Sequence, residues 1–195
     1  MNEVTVKPAI YDKGVCIMKK AIDVFDYAGV ICKALYKGYL MTTKNGYFVN
    51  TMTIGWGSIG VEWGRPIFTA YVRESRFTRE MVDQNGEFTI NIPVGPIDHK
   101  IISICGTKSG RNMDKIKELG LTLVESDNIS VPGIKELPLT LECKVIYKQK
   151  QDLSNIPDEI IKKFYPNVAN GSMIPDQDCH YAYYSEIVAA YIIED

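Results

Sequence analysis

From about Leu35 to Val72 the chain alternates β-branched and aromatic residues with polar ones, the period of two that sends side chains to opposite faces of a strand. Two turn signals break this run, Asn45-Gly46 and Arg65-Pro66. Lys44-Asn45-Gly46-Tyr47 marks a tight hairpin, because Asn-Gly supplies the positive φ angles such a turn demands. Strands are expected at Pro66 to Val72, Glu87 to Ile92, Leu139 to Tyr147 and Tyr181 to Ile193. Helical stretches are shorter and fall between them, at Thr78 to Asn85, Ile97 to Cys105 and Asn112 to Leu119, each opened by a polar or capping residue. Strands outnumber helices and no βαβ rhythm is present. The expectation is a mainly β fold, a closed or nearly closed antiparallel β-barrel with peripheral helices.

Gln149 to His180 differs in kind, being polar and rich in Asn, Pro and Asp, with one short helix expected from Pro157 to Phe164. Residues 149–178 read as an insertion, either a lid over a site or a plain surface excursion.

The chain has 195 residues, 46% hydrophobic and 24% charged, enough for one substantial core and so a single domain over 1–195. A net charge of -2 offers no broad attraction to a phosphate backbone or an anionic leaflet, so no nucleic acid and no membrane is expected as partner. The first fifteen residues hold no apolar signal core, and nothing approaches the roughly 20 apolar residues of a membrane helix. A cytoplasmic location is expected. Cys16, Cys32, Cys105, Cys143 and Cys179 form no Cys-x-x-Cys pair and read as reduced thiols, so no metal site is expected.

Gly55-Trp56-Gly57-Ser58-Ile59-Gly60 matches the Gly-x-Gly-x-x-Gly pattern of dinucleotide-binding folds, but Gly64 and Pro66 fall where its helix would have to run. As a strand, the region puts Met52, Ile54 and Trp56 on one face and Thr51, Thr53, Gly55 and Gly57 on the other. The second face is nearly bare. A bare strip lets main-chain groups reach the edge of a flat heteroaromatic ring, although a β-bulge or barrel corner also favours glycine.

Arg73-Glu74-Ser75-Arg76-Phe77-Thr78 leaves one strand and enters a helix that Thr78 can cap. Two guanidinium groups, two hydroxyls and a helix N-terminus together suit a phosphate. The alternative is a solvated turn with Arg76 or Arg79 paired to Glu74 or Glu80. Cys105 to Lys115 is a second small-residue loop, offering backbone amides plus Lys108, Arg111 and Lys115 as cations.

Four ordered motifs, Asn50-Thr51-Met52-Thr53-Ile54-Gly55-Trp56, Arg73-x-Ser75-Arg76-Phe77-Thr78, Asn91-Ile92-Pro93 and Cys105-Gly106 to Lys115, resemble the flavin reductase-like FMN-binding family that includes flavoredoxin. The resemblance resumes at Cys179-His180-Tyr181. It implies an FMN-binding split barrel, Greek-key and antiparallel, working as a homodimer with FMN near the subunit interface. By the same resemblance Asn50, Thr53, Ile54, Gly55 and Trp56 surround the isoalloxazine, while Arg73, Ser75, Arg76 and Thr78 hold the phosphate or flank N5. Asn91 adds main-chain contacts, Ser109, Gly110, Arg111 and Lys115 line the rest, and His180 approaches the ring, either in its own subunit or across the dimer. For His180 a purely structural role is the alternative. The expected mechanism has Lys115 near N1 and O2 stabilising the anionic reduced ring electrostatically, with no side chain needed as nucleophile or base.

The implied function is an oxidoreductase, an NAD(P)H-dependent flavin reductase using NADH or NADPH as co-substrate and passing electrons to a small-molecule or protein acceptor. A flavoredoxin-like FMN electron carrier without direct NAD(P)H use is the alternative, and a non-catalytic flavin-binding barrel a third reading.

Overall fold

The computed structural model describes residues 6–10, 16–165 and 178–194. In chain order the elements are β1 (Val6–Ile10), β2 (Cys16–Ala21), α1 (Ala28–Leu35), β3 (Tyr39–Asn45), β4 (Phe48–Ile54), β5 (Gly57–Glu62) and β6 (Arg65–Arg73). There follow α2 (Phe77–Asn85), β7 (Glu87–Ile92), α3 (His99–Thr107), α4 (Lys115–Leu119), and the short pair β8 (Leu123–Val124) and β9 (Gly133–Ile134). β10 (Leu139–Lys150), α5 (Asp158–Phe164) and β11 (His180–Glu194) complete the described chain. Part of the expected insertion, 166–177, lies outside the described residues.

One antiparallel sheet curls through β5, β6, β11, β10, β7, β3 and β4. β11 is long enough to serve two partners on one edge: β6 pairs with His180 to Glu186, and β2 pairs with Tyr191 to Glu194. Its other edge is taken by β10, with register shifts that bend the pair and help the sheet close. Among the described residues β4 pairs with β3 alone, so its second edge faces β6 across a seam. The chain crosses that seam at Gly55-Trp56, where the Tyr71 N–H donates to the Trp56 carbonyl at 3.2 Å. The barrel is thus split beside β4.

Inside it, Tyr39, Met41, Phe68, Phe88, Ile90 and Leu139 are fully buried and packed together. A second apolar cluster, with Leu40, Ile101, Cys105 and Leu121, holds α3 and α4 against the outside of the barrel. The Thr53 hydroxyl fastens α3 directly, donating to the Ile102 carbonyl at 2.5 Å. Among the described residues no helix is long and apolar enough to cross a membrane.

Local chemistry explains where the elements depart from expectation. Gly46 takes φ +57° in the first hairpin, as its sequence requires. The second turn falls on Trp63-Gly64, at φ +52° and +69°, and not on Arg65-Pro66. Positive φ at both central residues is the mirror-image turn that suits the twist of a hairpin. Pro66 is tolerated inside β6 because pairing with β11 begins only at Ile67, so its missing N–H removes no bond there. α4 starts at Lys115 and not at Asn112, since Asp114 accepts from the Lys117 N–H at 3.1 Å and sets the cap. α2 starts at Phe77 without a side-chain cap; Thr78, expected to cap it, instead accepts from Asn50 Nδ2 at 2.8 Å.

Candidate functional site

The open edge of β4 forms the floor of a slot of about 260 Å³, made by Met52, Thr53, Ile54 and Gly55. Tyr71, Val72 and Arg73 of β6 stand opposite, Trp56 and His180 close one end, and Arg76 stands on the wall. The aromatic end is built in layers. Trp56 stacks on His180 with ring centroids 4.5 Å apart, Phe164 meets Trp56 edge-on at 5.2 Å, and Tyr165 Oη lies 2.7 Å from His180 Nδ1. Burial, helped by the positive charges of Arg73 and Arg76 and opposed by Asp178, pulls the His180 pKa down to about 4. The imidazole is therefore neutral at physiological pH.

Arg73 works as a strap. Its guanidinium donates to the Phe164 carbonyl at 2.9 Å and to the Asp178 carbonyl at 3.2 Å, with the Asp178 carboxylate 3.8 Å away. The same carboxylate accepts from the Ser75 N–H at 2.9 Å. An internal anion thus stands beside the Arg73 guanidinium and takes the Ser75 main-chain N–H, while the Ser75 side chain still lines the cleft described next.

A second cleft, of about 130 Å³, adjoins the slot and shares Met52 and Arg76 with it. The turn into α2 contributes Ser75 and Thr78, and the α3–α4 loop contributes Lys108, Ser109, Gly110 and Arg111, with Lys115 behind them. Lys115 is only 3% exposed and donates to the Lys108 carbonyl at 3.2 Å. Among the described residues its ammonium has no carboxylate partner; burial, joined by the Arg76 charge, holds its pKa below the ordinary lysine value. A cation kept dry without a counter-ion is costly to the protein alone and favourable to an arriving anion. Arg111 pairs with Glu80 and lies over the Phe77 ring at 5.0 Å, while Arg76 donates to the Gly106 carbonyl at 3.3 Å. Cys105 is on the same wall, but burial pushes its thiol up to about 11, far from a reactive thiolate.

Gly110 is demanded by packing: a Cβ there would stand 2.1 Å from Asn50 Oδ1 and 3.0 Å from Phe77 Cδ1. This contact and the Asn50 bond to Thr78 lock the two loops of the cleft onto the start of β4.

Most of the residues marked in the sequence meet here. Thr53, Ile54, Gly55, Trp56, Arg73 and His180 line the slot, with His180 in the same chain as the rest. Ser75, Thr78, Ser109, Gly110, Arg111 and Lys115 line the cleft, and Arg76 belongs to both. Asn50 stands just behind it. Asn91 is not among them. Its fully buried amide accepts from Thr42 and Thr89 at 3.1 and 3.2 Å and donates to Thr140 at 3.2 Å, so it closes a polar cluster within the sheet. The Thr53 hydroxyl proton is given to α3, which leaves its oxygen only an acceptor role toward the slot. Sequence reasoning missed Met52, Tyr71 and Phe77 as lining residues, and Phe164, Tyr165 and Asp178 as supports. The alternation of β4 and β6 contained the first two, whereas no local pattern links Asp178 to Ser75 across 103 positions.

The fold and the cavities define the class: a split β-barrel protein with a narrow slot running into a cation-rich cleft. The chain belongs to the flavin reductase like domain family, which it matches over residues 36–194. A protein of Archaeoglobus fulgidus named only as uncharacterized is 34% identical over 97 residues, covering 50% of this chain and 54% of that one. The chain spans about half the length of the curated relatives it matches. Among solved structures, the flavoredoxin of Desulfovibrio vulgaris superposes with a TM-score of 0.58 at 22% identity, covering 80% of this chain and 68% of that one. The FMN-binding domain of a flavin reductases-like enzyme from Shewanella baltica gives 0.58 at 17% identity, covering 89% and 76%. At such identities the structures speak to the fold.

Proposed function

We propose that the chain binds FMN and acts as an oxidoreductase that accepts hydride from NADH or NADPH. One observation carries the reading: the slot along the end of β4 and a cleft lined by Arg76, Lys108, Arg111 and Lys115 adjoin, sharing Met52 and Arg76. The residues fit the cofactor. A phosphomonoester brings roughly -1.5 to -2 charges at pH 7, and the buried ammonium of Lys115, without a carboxylate partner among the described residues, answers it together with Arg76. This reading moves Lys115 from the ring edge to the phosphate end and leaves the Ser75 hydroxyl there with it, while Arg73, strapped to Phe164 and Asp178, stays with the slot.

Bound FMN supplies hydride and single-electron chemistry at its ring system. The chain supplies position and environment. The open edge of β4 offers main-chain groups along the slot, and Trp56, fixed between His180 and Phe164, walls its end. The neutral imidazole adds no charge there. Lys115 and Arg76 anchor the anionic end by charge-assisted hydrogen bonds. The reading includes a homodimer and a small-molecule or protein electron acceptor.

The purified protein is expected to be yellow and to release FMN, not FAD, on denaturation. Anaerobic mixing with NADPH or NADH should then bleach its visible flavin band. Bleaching only with a separate reductase present would replace the hydride-accepting half of the reading with electron carriage. A colourless protein indifferent to added FMN would overturn it altogether.

A further inference from the structure

α1 ends in Leu35, followed by Tyr36-Lys37-Gly38, and the turn back into β3 leaves a second space of about 580 Å³ against Gly55 and Trp56. It is larger than the slot and shares those two residues with it. The approach is close at Gly55: a Cβ there would stand 3.3 Å from the Leu35 carbonyl oxygen, a tight contact. Its size falls within the range of small-molecule sites, roughly 300–1,000 Å³.

The walls are aromatic and cationic. Tyr36 is 96% exposed, so its ring packs on little of its own chain, and Trp56 remains 38% exposed despite His180 and Phe164 on its other contacts. The Lys37 ammonium has no carboxylate partner among the described residues, and no acidic side chain lines the space. The thiol of Cys32, the exposed member of the four free cysteines described, opens onto the same wall. Exposed aromatic rings beside a lone cation suit one chemistry: a flat ring bearing an acid group.

We propose that this space is the second-substrate site, taking a planar aromatic compound with an acid group, its ring against Trp56 and Tyr36 and its acid on Lys37, next to the slot. The inference rests on the slot being the FMN site, and the test separates the two.

Cys32 reports occupancy without turnover. In the full chain carrying Cys16→Ser and loaded with FMN, the rate of Cys32 alkylation by N-ethylmaleimide is measured with 4-nitrobenzoate or with uncharged nitrobenzene. 4-Nitrobenzoate should slow alkylation about tenfold when it stands about tenfold above its Kd. Nitrobenzene should need higher concentrations, and Lys37→Gln should weaken protection by 4-nitrobenzoate several-fold while leaving that by nitrobenzene unchanged. If FMN is bound and neither probe protects Cys32, the second site is overturned while the FMN reading stands. Protection that rises with protein concentration alone would mean that a second copy covers the space, which also overturns it. Failure to load FMN would remove the reading beneath both.

Discussion

Lys115→Met keeps the length of a side chain that is 3% exposed and deletes its charge. Without ligand that ammonium is buried on one carbonyl, 3.2 Å away, with Arg76 adding to the positive potential. Its removal should stabilise the ligand-free chain by about 1 kcal/mol, the usual scale for relieving such a misfit. The same change removes a charge-assisted bond to the FMN phosphate, about 1.5–3 kcal/mol, which is roughly 10- to 150-fold in Kd. Quenching of FMN fluorescence at fixed ionic strength measures the second effect, and urea unfolding without FMN measures the first. Added salt should shrink the difference in Kd between the two proteins. An unchanged Kd would refute the anion-site reasoning, and a destabilised ligand-free variant would show that the ammonium holds the fold together.

Gly110→Ala should cost about 1–3 kcal/mol of stability, the range for overpacking, because its Cβ meets Asn50 Oδ1 at 2.1 Å; urea melts and FMN titration should fall together. Arg76→Ala should weaken FMN by roughly tenfold or more, through loss of a charge-assisted bond. Arg73→Ala should instead lower stability and shift tryptophan fluorescence by releasing Phe164 and Asp178, with a smaller effect on FMN Kd. With His180 at about 4 in the folded chain and about 6.5 unfolded, the unfolded state binds the extra proton between those values. Stability should therefore fall as pH drops from about 6.5 to about 4, by at most about 1.4 kcal/mol per pH unit from this group, and His180→Gln should flatten that slope in pH-dependent melts.

Elements with strong local signals were legible in the sequence. β7 spans Glu87–Ile92 as its composition predicts, and the first hairpin turns at Gly46. β10 and β11 run slightly past their expected ends, to Lys150 and from His180 to Glu194. α1 carried no signal, since Gly29, Val30, Ile31 and Cys32 are weak helix formers and Tyr27 gives no side-chain cap; packing of Ile31 and Ala34 against the barrel decides it. The two halves of the site were legible as separate strips of unusual composition, one bare and one basic. Their meeting depends on the curl of the sheet and on the seam beside β4. The side-chain partners of Arg73 and Asn91 were not legible for the same reason: they are Phe164, Thr42 and Thr140, residues that only the folded topology brings near.

The central claim is that the β4 slot and the Lys115 cleft form a single cofactor site. A crystal structure of the chain soaked with FMN tests it most directly. The account places the ring along Thr53 to Trp56 and the phosphate within hydrogen-bond reach of Lys115 and Arg76. A flavin bound elsewhere, or a phosphate on Arg73 with Asp178 displaced, would contradict it.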